Sequence, residues 1–134
     1  MTSRRSGVVA VHSVQRFAFS VPDLAEAARF YTAFGLDVRK EGARLDLRTF
    51  GHDHVWGYIL ESSVKKLDYV SYGIFAEDEP VFRKRITELG LACDPPAMGD
   101  GTGLWFLDPD GVALQLVVAN KVSPSQKSRP ITAA

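Results

Sequence analysis

Two segments of this 134-residue chain match each other at a constant offset of 55, which sets the architecture as two copies of one module. Asp23, Thr32, Gly35 and Leu36 fall on Asp78, Thr87, Gly90 and Leu91. Both segments read as helices. Asp23 with Glu26 forms a capping-box pattern, and Asp78 is placed to cap the second helix with Pro80 in its first turn. Apolar residues at Ala27, Phe30, Tyr31 and Phe34, and at Phe82, Ile86 and Leu89, predict one buried stripe per helix. Gly35 and Gly90 stand where a left-handed C-terminal cap is wanted.

One alternating strand precedes each helix and three follow it. The first module has strands over 14–21, 36–40, 44–50 and 54–61, with a turn at Glu41-Gly42. The second has strands over 67–75, near Leu91, over 104–107 and over 112–118, with Asp108-Pro-Asp-Gly111 as a turn. The expected fold is α+β: two tandem βαβββ modules, 14–61 and 67–118, in a curved, mainly antiparallel sheet with helices on its outer face.

Alternation assigns side chains to faces. Phe17, Phe19 and Val21, then Val70, Tyr72 and Ile74, then Val112, Leu114, Leu116 and Val118 pack under the helices. The opposite, concave face collects Arg16, Ala18, Ser20, His54, Trp56, Tyr58, Leu60, Tyr69, Ser71 and Gln115. Arg16, His54, Trp56, Tyr58, Tyr69 and Gln115 are the candidate pocket lining, three aromatics with polar anchors around a small aromatic ligand. The same pattern equally fits a second core layer or a contact with a partner domain.

Charge narrows the partners. Lys plus Arg equal Asp plus Glu at 16 each, yet residues 14–120 hold 11 basic and 16 acidic residues, a net of −5, and the ends carry the balance. No broad basic field faces a nucleic acid, and no apolar run approaches the roughly 20 residues that cross a bilayer. The N-terminal residues lack the long apolar stretch of a secretory signal. A single Cys93 forbids an internal disulfide and suits a cytoplasmic protein. Residues 1–13 read as a flexible N-terminal segment, 14–120 as the domain, and 121–134, rich in Ser, Pro and Lys, as a linker or disordered tail.

The segments VPDLAEAARFYTAFGLDV, LDYVSYGIFAEDEPVFRKRITELGL and GLWFLDPDGVALQLV resemble the vicinal-oxygen-chelate superfamily of glyoxalases, bleomycin-resistance proteins and extradiol dioxygenases. The resemblance covers residues 14–120 and is strongest to the N-terminal domain of two-domain extradiol ring-cleavage dioxygenases. It implies metal-ligand places in the strands that open and close each module. Here those places hold Arg16, Tyr69, Leu60 and Gln115. An arginine is a permanent cation, glutamine offers one neutral oxygen, and leucine offers nothing. The expectation is therefore no metal and no cofactor bound by this chain, with Fe(II) held only in a separate catalytic domain.

Other reactive side chains read as structural. His52 and His54 supply two of the three or four ligands a metal needs, and His12 is placed in the mobile N-terminal segment. Cys93 ends a short strand without a base beside it, which favours a buried, inert thiol. Asp108 and Asp110 form a turn, and Glu77, Asp78 and Glu79 complement a helix dipole. No catalytic residue is expected. The resemblance implies a non-catalytic first domain partnered by a second domain of the same fold. The alternative it implies is a free-standing homodimer binding a small molecule between walls of Trp56, Tyr58 and Tyr69.

Overall fold

The computed structural model describes residues 7–120. The chain forms β1 (Val11–Val21), α1 (Leu24–Phe34), β2 (Asp37–Glu41), β3 (Arg44–Arg48), β4 (Gly57–Glu61), β5 (Lys66–Ile74), α2 (Glu79–Glu88), β6 (Leu104–Leu107) and β7 (Ala113–Val118). The strands make one curled sheet in the order β2-β3-β4-β1-β5-β7-β6. The modules join at its centre, where β1 and β5 run antiparallel. Within each module the opening strand pairs in parallel with the closing one, β1 with β4 and β5 with β7. The other pairings are antiparallel. Among the described residues, no helix is long and apolar enough to cross a membrane.

Each helix covers its own module. Leu24, Leu45, Leu47 and Ile59 form the first core, with Phe17, Phe19, Val21, Ala27, Ala28 and Tyr31 packed on it. Ile74, Ile86, Leu104 and Leu116 form the second, with Tyr72, Phe82 and Phe106. The expected faces hold in β1, where Phe17 and Phe19 lie with α1 and Ala18 belongs to a third cluster on the opposite face. They do not hold throughout β7: Val112 precedes the strand and lines the cleft on the concave side, and Val118 is exposed. The α1 cap also holds, Asp23 accepting from the Glu26 N–H at 3.0 Å. Gly35 closes the helix at φ 111°, a conformation that glycine adopts without a Cβ penalty.

Several expectations are corrected. The α1 stripe is Leu24, Ala27, Ala28 and Tyr31, leaving Phe30 and Phe34 exposed at 59% and 73%. The helix lies on the sheet through two alanines, and both phenylalanines turn outward to stack on each other with centroids 6.0 Å apart. Leu89 follows α2 at its C-terminal cap and is likewise exposed. Asp78 sits at the N-cap of α2, but its side chain makes no capping hydrogen bond and is buried. The strand expected near Leu91 shrinks to a single bridge, Ala92 to Phe106, because Pro95 and Pro96 follow and lack the N–H a ladder needs. β3 ends at Arg48 and β4 starts at Gly57, so His54 to Trp56 approach the sheet as a loop. At the other end β1 begins at Val11, so His12 belongs to a strand. Its Nε2–H donates to the Ala119 carbonyl at 2.8 Å and its ring meets Phe75, centroids 4.7 Å apart. The tail expected over 121–134 lies outside the described residues.

Candidate functional site

The concave face is built by alternation, since every side chain that points away from the helices must meet something there. In the second module it meets a third core cluster. Ala18, Tyr69 and Trp105 are buried together, with Tyr58, Cys93, Met98 and Ala113 packed around them. Tyr69 is 3% exposed and meets the Trp105 ring edge-on at 5.1 Å. Burial raises the Tyr69 phenol above its usual range, partly offset by the nearby Arg16 guanidinium. Burial likewise raises the Cys93 thiol, with Asp94 adding to the effect.

Gln115 is the polar anchor of this half. Its Oε1 accepts from the Ser71 hydroxyl at 2.6 Å, and its Nε2 donates to Asp100 Oδ1 and the Thr102 carbonyl, each at 2.9 Å. Trp105 Nε1 donates to the Asp100 carbonyl at 2.9 Å. The segment before β6 is thus tied down over the sheet by both residues. Hydrogen bonds from Thr102 hold the Asp100 carboxyl below its usual range, reinforced by Gln115 and Arg16. Gly103 makes the turn into β6 at φ 71°, where any Cβ would run into the Leu116 carbonyl oxygen.

The first module's half is charged. Arg16 Nε donates to the Val55 carbonyl at 3.0 Å, and its guanidinium lies 4.6 Å from the Tyr58 ring centroid. Arg44 lies 4.0 Å from the same centroid and pairs with Asp46 at 2.7 Å. Two cations therefore share one aromatic ring. Hydrogen bonding to Asp46 is the main cause of a raised Arg44 pKa. His54 Nε2–H donates to the Gln15 carbonyl at 2.6 Å, while its ring packs on Trp56 at 4.4 Å.

Of the six predicted lining residues, Arg16, Tyr58, Tyr69 and Gln115 converge on this face, and His54 and Trp56 form a neighbouring pair on the loop before β4. Reading the sequence missed Arg44, Asp46, Trp105 and Asp100, and placed Ser71 on this face without marking it as the partner of Gln115. Strict alternation in Arg44-Leu-Asp-Leu-Arg48 carried the signal for the first two, since its leucines are the core residues Leu45 and Leu47. Nothing local marked Trp105 as the residue that fills the groove.

The metal-ligand places can be tested by their chemistry. Arg16 is a fixed cation, Tyr69 is a buried phenol favouring its neutral form, and the Gln115 amide is hydrogen-bonded at both ends. Leu60 has no donor atom. This set does not fit a divalent ion. Among the described residues, no three His, Cys, Asp or Glu side chains gather as a metal cluster requires. His52 and His54 do lie together, but the His52 Nδ1 accepts the His54 backbone N–H at 3.1 Å.

Comparison with known proteins agrees with this architecture. Over 120 residues, 89% of this chain, the sequence is 38% identical to metapyrocatechase 2 of Cupriavidus necator. The chain spans 37% of that relative's length. The 2,2′,3-trihydroxybiphenyl 1,2-dioxygenase of the dibenzofuran-degrading Sphingomonas wittichii strain RW1 shares the fold with a TM-score of 0.69 at 15% identity, covering 84% of this chain and 42% of that one. The Mn(II)-bound glyoxalase of Novosphingobium aromaticivorans gives 0.64 at 17% identity, with the same coverage of 84% and 42%. No family model matches the chain. The chain is thus similar in fold to a glyoxalase and to ring-cleaving dioxygenases, and in sequence to part of a metapyrocatechase.

Proposed function

We propose that this chain is the ligand-less, non-catalytic first domain of a two-domain extradiol ring-cleavage dioxygenase in aromatic-compound catabolism, working in the cytoplasm. One observation carries the reading. The places where a metal-binding copy of this fold would present imidazoles and a carboxylate hold Arg16, a buried Tyr69 and a hydrogen-bonded Gln115. The likeness to a metapyrocatechase over about a third of its length supports a domain role within such an enzyme. Fe(II) then belongs to the second domain, which binds the diol and activates O2. The present domain packs against that half and does no chemistry itself.

The free-standing binding protein is served less well, because Tyr69, one of its three aromatic walls, is buried against Trp105. The test is ring cleavage by the purified chain, loaded anaerobically with Fe(II) and mixed with catechol and O2. The expected result is no coloured ring-fission product, with metapyrocatechase 2 as the positive control. Sustained turnover by this chain would overturn the proposal.

A further inference from the structure

Beyond the cluster that fills the second module's half, the concave groove opens at one end into a cleft of about 470 Å3. That volume lies within the roughly 300–1,000 Å3 of small-molecule sites. Ser20, Leu60 and Ala113 contribute from the sheet, Met98 from the segment above it, and Leu67 and Asp68 from the start of β5. None of the six predicted lining residues belongs to it. Met98 and Ala113 also belong to the Ala18–Tyr69–Trp105 cluster, so the cleft ends against that packing.

The polar side chains of this cleft are unbalanced in a way that selects a ligand. The Ser20 hydroxyl donates to Asp68 Oδ2 at 2.7 Å, and Lys66 Nζ lies 3.6 Å from Asp68 Oδ1. The Ser20 proton is thereby committed, leaving its oxygen as an acceptor. A carboxylate has about four lone-pair sites, so Asp68 retains acceptor capacity. Its side chain is only 13% exposed, against 62% for Lys66, which places the carboxylate inside and the cation at the rim. Glu61, also in the lining, is exposed, and its carboxylate accepts from the Leu24 N–H at 3.3 Å. The interior thus offers acceptors, flanked by the apolar surfaces of Leu60, Leu67, Met98 and Val112.

We propose that this cleft binds a small, largely apolar molecule that presents a hydrogen-bond donor, a hydroxyl or an ammonium, to Asp68, and that it refuses carboxylates. The site does not depend on whether this domain partners a catalytic one. Three probes built on one phenyl ring separate the cases: phenol, benzylamine and benzoate. Binding is read from the Met98 methyl resonance, one of two methionine methyls in the chain. Phenol, benzylamine or both should shift it saturably, which also says which donor is preferred, and benzoate should not. Asp68→Asn should weaken benzylamine by about tenfold or more, because a hydrogen bond to a charged acceptor is lost. Leu67→Trp, at a half-exposed position on the cleft wall, should weaken whichever probe binds while leaving the fold intact. No saturable shift with either donor probe, benzoate binding equally well, or affinities unchanged in both variants would each overturn the proposal.

Discussion

In the first module, β2, β3 and, after the loop over 49–56, β4 all join the sheet. Among the described residues no segment crosses their concave side chains, so Arg44 and Tyr58 stay half-buried there. In the second module, the stretch after α2 pairs at one bridge, stops at Pro95-Pro96, and crosses the groove before β6 begins. The same repeat therefore ends in two surfaces. One is a polar ring of Arg16, Arg44 and Asp46 around Tyr58, and the other is a sealed pack of Tyr69, Trp105 and Gln115. On the proposed reading, the difference gives two physical routes by which a fold of this kind fails to fit a metal. In one half a fixed positive charge stands at the ligand place, and in the other burial and saturated hydrogen bonds do the same.

Trp105→Ala tests the sealed half with the largest expected effect. It should cost about 3–5 kcal/mol in chemical denaturation, since it removes a buried aromatic and opens a cavity beside Tyr69. A loss below about 1 kcal/mol would mean the groove is not sealed. Gln115→Leu should follow at about 1–3 kcal/mol, because the buried Ser71 hydroxyl loses its acceptor. The same variant should speed hydrogen exchange at the Trp105 indole N–H, whose acceptor is the Asp100 carbonyl.

The charged half should answer more weakly. Tyr58→Leu removes two cation–ring contacts of about 0.5–1 kcal/mol each, whereas Tyr58→Phe keeps the ring and should stay close to wild type. Equal losses in the two variants would assign the effect to the hydroxyl instead. The smallest effect is a pH dependence. Tyr69 has a folded pKa above its unfolded value of about 10, so the folded state holds its proton longer. Its contribution is present below that value and is lost as pH rises through it toward the folded value. Melting temperature should therefore fall less steeply above about pH 10 in Tyr69→Phe than in wild type.

Period-two alternation made the two faces legible, because a strand with one face packed under a helix cannot slip by one residue without exposing its core. Ala18, Tyr69 and Gln115 were placed on the concave side for that reason. The phase of α1 was not legible. Leu24, Ala27, Ala28 and Tyr31 and the alternative Ala27, Phe30, Tyr31 and Phe34 both satisfy helical spacing, and only the close approach through the alanines decides between them. The shortening of the strand near Leu91 was written in Pro95-Pro96, a breaker with a known mechanism. The role of Trp105 was hidden, since it depends on a long-range fold-back that no local period records. His12 was hidden in the same way, being held by Ala119, 107 residues away.

The central claim is that neither half of the concave face can hold a divalent ion. Calorimetric titration of the purified chain with Mn(II), and with Fe(II) under anaerobic conditions, tests it most directly. The account predicts no saturable binding of either ion. One equivalent bound per chain, lost in Tyr69→Phe or Gln115→Ala, would contradict it.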